Sequence, residues 1–142
     1  MSTHKKICLS VFGITQIIVA GILIVSFIPH ETIPHIFNTG GKDKVVHLIM
    51  YGAYSLVIAV FLWQFSVKRW TLITFTAASC MGIIVEFLQP LLSNRSSDIH
   101  DIVFNAIGIC LGVASAYLYK QRRIILQQLS FVFHRKSKSL AT

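Results

Sequence analysis

The sequence predicts an all-α integral membrane protein, a bundle of four transmembrane helices with a basic C-terminal tail. Three observations predict it. Of the 142 residues, 54% are hydrophobic and 13% charged, where a soluble domain carries roughly 25% charged residues. Four apolar runs of about 18–23 residues follow one another, each close to the length that crosses a hydrocarbon core. The basic residues lie between and after these runs and form no stripe with interleaved aromatics. The net charge of +8 is therefore a topology signal and not a footprint for nucleic acid. The expected partner is the lipid bilayer, with no nucleic acid.

The first run, residues 7–28, follows Lys5 and Lys6. A signal peptide would have a shorter apolar region and a small-x-small cleavage site, but this run ends in Phe27-Ile28-Pro29, which favours a helix that stays. Pro29 to Lys42 is a loop with Pro34 and the Gly40-Gly41 pair. Asp43 stands at an N-cap position before the second helix, 45–67, which Lys68 and Arg69 terminate. The third helix, 70–92, is interrupted only by Glu86, and a polar turn holding Arg95 leads into the fourth, 99–119. Residues 1–119 thus read as one transmembrane domain and 120–142 as a basic cytoplasmic tail. Between its basic clusters the tail is too short to span. Ile125, Leu129, Val132 and Phe133 recur at helical spacing, which suits an amphipathic segment on the membrane surface; a disordered basic tail is the alternative. Cys8, Cys80 and Cys110 fall inside apolar runs at no metal-ligand spacing and read as small packing residues. No cofactor and no metal is expected.

Orientation follows from the basic residues. With the N-terminus inside, Lys5, Lys6, Lys68, Arg69, Lys120, Arg122, Arg123, Arg135, Lys136 and Lys138 are cytoplasmic, against Lys42, Lys44 and Arg95 outside. Both termini are expected inside. That topology brings the polar residues of three helices to the outer side: Asp43, Lys44, His47 and Tyr51 open the second helix, Glu86 and Gln89 close the third, and Asp98, Asp101 and Asn105 open the fourth. At 100° per residue, positions 43, 47, 51 and 54 share a face, as do 79, 82, 86 and 89, and 98, 101, 105, 108 and 112. His100 lies off the last stripe. A carboxylate at membrane depth costs on the order of 2.5–3.5 kcal/mol even on lenient scales, so these stripes are expected to point inward. Gly108 and Gly112 form a small-xxx-small pair that lets a neighbouring helix come close. Singly, the residues have plainer readings: Asp43 and Asp98 as helix caps, His47 and Gln89 as interhelical hydrogen-bonders, Tyr51 as an interfacial aromatic, Arg95 as a headgroup anchor or counter-ion of Glu86. Their concentration at one depth favours a site.

Asp43-Lys44-x-x-His47-x-x-x-Tyr51 resembles the first signature of the VanZ-like membrane proteins. The pattern Glu86-x-x-Gln89, Arg95-x-x-Asp98-x-x-Asp101-x-x-x-Asn105-x-x-Gly108-x-x-x-Gly112 resembles the second. The resemblance covers roughly residues 29–119. It implies a multi-pass protein of the bacterial cytoplasmic membrane acting on or near cell-envelope components, in a family linked to resistance to the glycopeptide teicoplanin.

Three functions compete. As a binding module, the cluster would hold a lipid headgroup, a lipid-linked envelope precursor or a partner membrane protein, with Arg95 and Lys44 meeting anionic groups. As an enzyme on a lipid-linked substrate, a hydrolase or transferase, it would use His47, Glu86 and Asp101 as its catalytic candidates. In that second reading a divalent metal on Asp98, Asp101 and Glu86 is conceivable, although no nucleophile elbow, phosphate loop or HExxH is present. A proton-coupled transporter would need ionisable groups through the full depth, and the inner half has none. The orientation is checked by cysteine labelling: positions 40 and 94 are expected to label from outside, and positions 68 and 136 only after permeabilisation. External labelling at 68 would reverse the topology.

Overall fold

The computed structural model describes residues 3–27, 42–92 and 99–140, and within them every side chain except those at 3–9, 12, 25, 42–43 and 132–140. All four elements are helices: α1 Thr3–Phe27, α2 Lys42–Gln64, α3 Trp70–Leu92 and α4 Ile99–Leu140. Lys44–Gln64, Trp70–Leu92 and Ile99–Phe131 are long and apolar enough to cross a membrane, and α1 contributes the shorter apolar stretch Gly13–Ile24. The all-α class is as expected. The loop from 28 to 41, together with Arg95 and Asp98, lies outside the described residues.

Helix α2 touches each of the other three helices, and its contact with α4 is the most extensive. Helix α1 lies against α2 and α3. α3 runs over the residues expected of it. α2 ends three residues earlier than the apolar run suggested, and the reason is local. Val67 N–H donates to Leu62 O at 3.0 Å and Ser66 N–H to Trp63 O at 2.9 Å, the paired bonds of a Schellman cap. Its left-handed position is filled by Ser66, with φ 55°, where glycine is the usual occupant. Arg69, at φ 59°, turns the chain again, and its carbonyl accepts the first α3 bond, from Ile73 at 3.0 Å.

α4 corrects the expectation more strongly. It does not stop at Tyr119 but runs on without a break to Leu140, 42 residues in all. Nothing opposes this: no glycine or proline occurs after Gly112. At 1.5 Å per residue the helix is about 63 Å long, roughly twice a hydrocarbon core, so the tail is helical and not disordered. Where α4 passes the α2–α3 turn, aromatic and basic side chains brace it. Trp63 and Tyr119 meet edge to face at 5.9 Å, Arg123 lies 5.9 Å from the Trp63 ring centroid, and Lys120 lies 5.6 Å from that of Trp70.

The interior is inverted relative to a soluble bundle. Ile17, Ile24, Phe87, Leu91 and Leu118 are exposed, whereas His47, Ser55, Glu86, Gln89, Asp101 and Asn105 are buried. A surface of this kind suits hydrocarbon and not water. Cys80 and Cys110 are free thiols exposed on that outer surface, and the Cys8 side chain lies outside the described residues.

The α2–α4 contact is made by backbone. A Cβ on Gly108 would run into the carbonyl oxygen of Leu48, and one on Gly112 into Ser55 Oγ and the carbonyl of Gly52. Gly52 answers from the other side, where a Cβ would stand 3.3 Å from the Gly108 carbonyl. Ser55, which the sequence stripes had passed over in favour of Tyr54, donates to Gly52 O at 3.0 Å and Ile109 O at 3.3 Å. Helix backbones that meet this closely leave no room for a side chain. Gly108→Leu is therefore expected to abolish or sharply reduce the yield of folded protein in membranes. Ala114→Leu, on the exposed face of α4, should leave it unchanged. Equal yields, measured by size-exclusion chromatography of the solubilised protein, would refute the close contact.

Candidate functional site

Three helix ends meet at the end of the bundle away from the α2–α3 turn. The first turns of α2 bring His47 and Tyr51, the last turns of α3 bring Glu86 and Gln89, and the first turns of α4 bring Asp101 and Asn105. All six are buried, none more than 3% exposed. Each helix presents its polar residues on the row that faces its neighbours, because the opposite faces are apolar. These six residues point inward and lie at one end of the bundle.

His47 Nδ1 and Asn105 Oδ1 are 3.2 Å apart, linking α2 to α4. With the amide in this orientation, Nδ1–H donates to Oδ1, and in the neutral ring Nε2 carries the lone pair. The imidazole of His47 and the ring of Tyr51 are nearly parallel, with centroids 6.3 Å apart. Gly82 lets α3 approach this pair: a Cβ there would stand 3.4 Å from Tyr51 Cε1 and 3.5 Å from Asn105 Nδ2. One turn further along α3 lies Glu86, whose carboxylate is within coulombic reach of the Tyr51 phenol. One donor atom each from His47, Glu86 and Asp101 falls within 4.8 Å of the other two. Three helices thus converge on one small volume with an imidazole and two carboxyl groups.

Two further features belong to the surroundings. Pro90 lies inside α3 and has no N–H to give to the carbonyl four residues back, which is that of Glu86. The residue that brings a buried carboxyl group to the cluster therefore also lacks the usual i→i−4 bond to its own carbonyl. Beside the cluster, a cleft of about 150 Å³ is lined by Ser79, Gly82, Ile83, Ile102, Asn105, Ala106 and Ile109, between α3 and α4. Its walls are chiefly apolar. Gly82 and Asn105 also border the polar group, so cleft and cluster share a wall.

The remaining candidates fall differently. Lys44 is partly buried on the first turn of α2, and Tyr54 is partly buried beside the apolar core around Tyr51. His100 is exposed, off the stripe as expected. Asp43 lies inside the first turn of α2 and not before it, and its side chain, like the whole of Arg95 and Asp98, lies outside the described residues. Thr74 and Ser26 are polar, fully buried and unanticipated. Nothing in an apolar run marks a lone hydroxyl as inward-facing.

Compared with known proteins, the chain matches the family model for VanZ/LLP1 over residues 6–120. It is also 34% identical over 86 residues to an uncharacterized protein, C11E3.10, of the fission yeast Schizosaccharomyces pombe. That alignment takes in 58% of this chain and 51% of the yeast protein, so the chain spans about half the length of this relative. No solved structure matches it.

Proposed function

The chain belongs to the VanZ/LLP1 family, and from that premise we propose that it is a four-span membrane protein whose polar cluster binds the headgroup of a membrane lipid or lipid-linked envelope precursor. In this reading both termini are cytoplasmic and the cluster faces the outer side. The membrane in this reading is that of a bacterium, as the resemblance implies, while a relative of the chain occurs in fission yeast. A lipid headgroup is common to both settings.

The observation that carries the proposal is the shared wall. Asn105 belongs at once to a buried polar cluster and to an apolar cleft between α3 and α4. A polar group next to an apolar groove fits an amphiphile, with its headgroup among His47, Glu86, Gln89 and Asp101 and part of an acyl chain along Ile83, Ile102 and Ile109. Lys44, in the first turn of α2, and Arg95, in the polar turn that the sequence places between the third and fourth helices, supply the cations that an anionic headgroup needs. Holding six polar side chains in a bundle that faces hydrocarbon is costly for stability, and ligand binding supplies a reason to keep them.

The test is native mass spectrometry of the full chain purified from membranes. The wild type is expected to retain a bound lipid. Glu86→Gln, His47→Ala and Asp101→Asn are each expected to lose it, by about 1.5–3 kcal/mol or tenfold and more in affinity. The double variants should lose no more than the singles, because groups acting as one unit are not additive. Three folded variants that retain the same lipid as the wild type would end the proposal and leave the cluster a structural device.

A further inference from the structure

We propose that His47, Glu86 and Asp101 form a binding site for a divalent transition-metal cation. The proposal deepens the headgroup reading, on which it rests for the identity of what the cation meets, though the site itself is argued from geometry alone. The three residues come from three different helices, are 2–3% exposed, and place a donor atom each within 4.8 Å of one another. A cation with bonds of about 2.1 Å sets its donors roughly 3–3.5 Å apart, a closing distance that side-chain rotation supplies. One imidazole with two carboxylates suits Zn²⁺, Mn²⁺, Fe²⁺ or Co²⁺ better than Mg²⁺ or Ca²⁺, which take oxygen alone.

The electrostatics point the same way. Two carboxyl groups within a few ångströms in an apolar bundle cannot both ionise without compensating charge, and a doubly positive ion neutralises both. It also removes a difficulty in the headgroup reading, since an acid-lined pocket has the wrong sign for phosphate. An ion held by three protein donors keeps coordination positions open for an oxygen ligand.

The surroundings are those of a ligated histidine. The Asn105 amide oxygen lies 3.2 Å from His47 Nδ1; with Nδ1–H donating to it, the ring is fixed and presents the Nε2 lone pair, the usual outer-shell arrangement at a metal. Independently of the three ligands, the Tyr51 hydroxyl is fully buried, lies within coulombic reach of Glu86, and has no hydrogen-bond partner among the described residues. The same is true of the Asn105 amide nitrogen, at 3% exposure. A buried donor left in that state is destabilising, and an oxygen ligand on the cation would accept from both. The ligand set differs from the sequence reading, which placed any metal on Asp98, Asp101 and Glu86. His47 takes the third place, and Asp98 lies outside the described residues.

The experiment uses the full chain in phosphatidylcholine nanodiscs, stripped with chelator and titrated with Co²⁺. Saturable binding is expected, with the visible d–d absorption of a nitrogen- and oxygen-ligated ion, and competition by Zn²⁺ at lower concentration. Glu86→Gln, Asp101→Asn and His47→Gln should each weaken Co²⁺ binding by more than 100-fold, and Asn105→Ala, a positioning change, by about 10–100-fold with a shifted spectrum. Gln64→Ala, distant from the cluster, should change nothing. If the variants fail to fold, the wild type still decides. The absence of a saturable d–d band, together with no Co²⁺-, Zn²⁺- or Mn²⁺-dependent rise in melting temperature, overturns the site. Lipid retention, read separately by native mass spectrometry, tells the two ideas apart. Lipid kept without metal sinks the cation and spares the headgroup reading; metal bound with no lipid in any preparation does the reverse.

Discussion

The close contact between α2 and α4 is the constraint on which the rest depends. Gly52, Gly108 and Gly112 let the two backbones meet where any side chain would collide, and Ser55 ties them by donating across to the Ile109 carbonyl. That contact fixes the relative height of the helices. With the height fixed, His47 and Asn105 come level at 3.2 Å, and Tyr51 lies where Gly82 of α3 can pack against it. A wider separation would move the imidazole and the amide out of reach of each other. In hydrocarbon no hydrophobic force presses helices together, so packing of this closeness supplies what burial supplies in water.

The same constraint explains how buried polar residues are accommodated inside the bundle. Each of the three helices surrounds a narrow polar row with apolar residues: Phe87 beside Glu86, Val103 and Ile107 on either side of Asn105 by helical turn, Ile49 between His47 and Tyr51. All four are exposed. The rows meet only at one end of the bundle. At the other end the interior is Ala59, Ala116 and Trp70, and the charged groups lie outside it, with Lys120 and Arg123 against tryptophan faces. The molecule is therefore polarised along its axis, with a buried ionisable cluster at one end and an aromatic–basic brace at the other.

Much of this was legible in the sequence, because the bilayer imposes two strong rules. Long apolar runs must be helices, which located α3 correctly and α1 and α2 to within a few residues. Ionisable groups must turn away from lipid, which identified Glu86, His47, Asp101 and Asn105 as inward-facing before any contact was known. What escaped lacked such a rule. The end of α2 depends on Ser66 adopting a conformation that glycine would normally signal. The continuation of α4 past Tyr119 depends on there being no breaker, and basic residues looked like an end although a helix runs through them without cost. Ser55 was missed because a 100° step allows either 54 or 55 to follow 51, and only the neighbouring Gly112 decides between them.

Glu86 is where these threads join. Its carboxyl group lies on the inner row of α3, Pro90 withholds the amide that would bond its carbonyl, and Gln89 beside it is equally buried. The last turns of α3 are thus rich in acceptors at the depth where His47 presents a ring nitrogen and Asp101 a second carboxyl group. The other end of α3 is held by the Arg69 turn and by Lys120 over the Trp70 ring. Across the cluster from α3, the glycine contact between α2 and α4 holds His47 and Asn105 at one level.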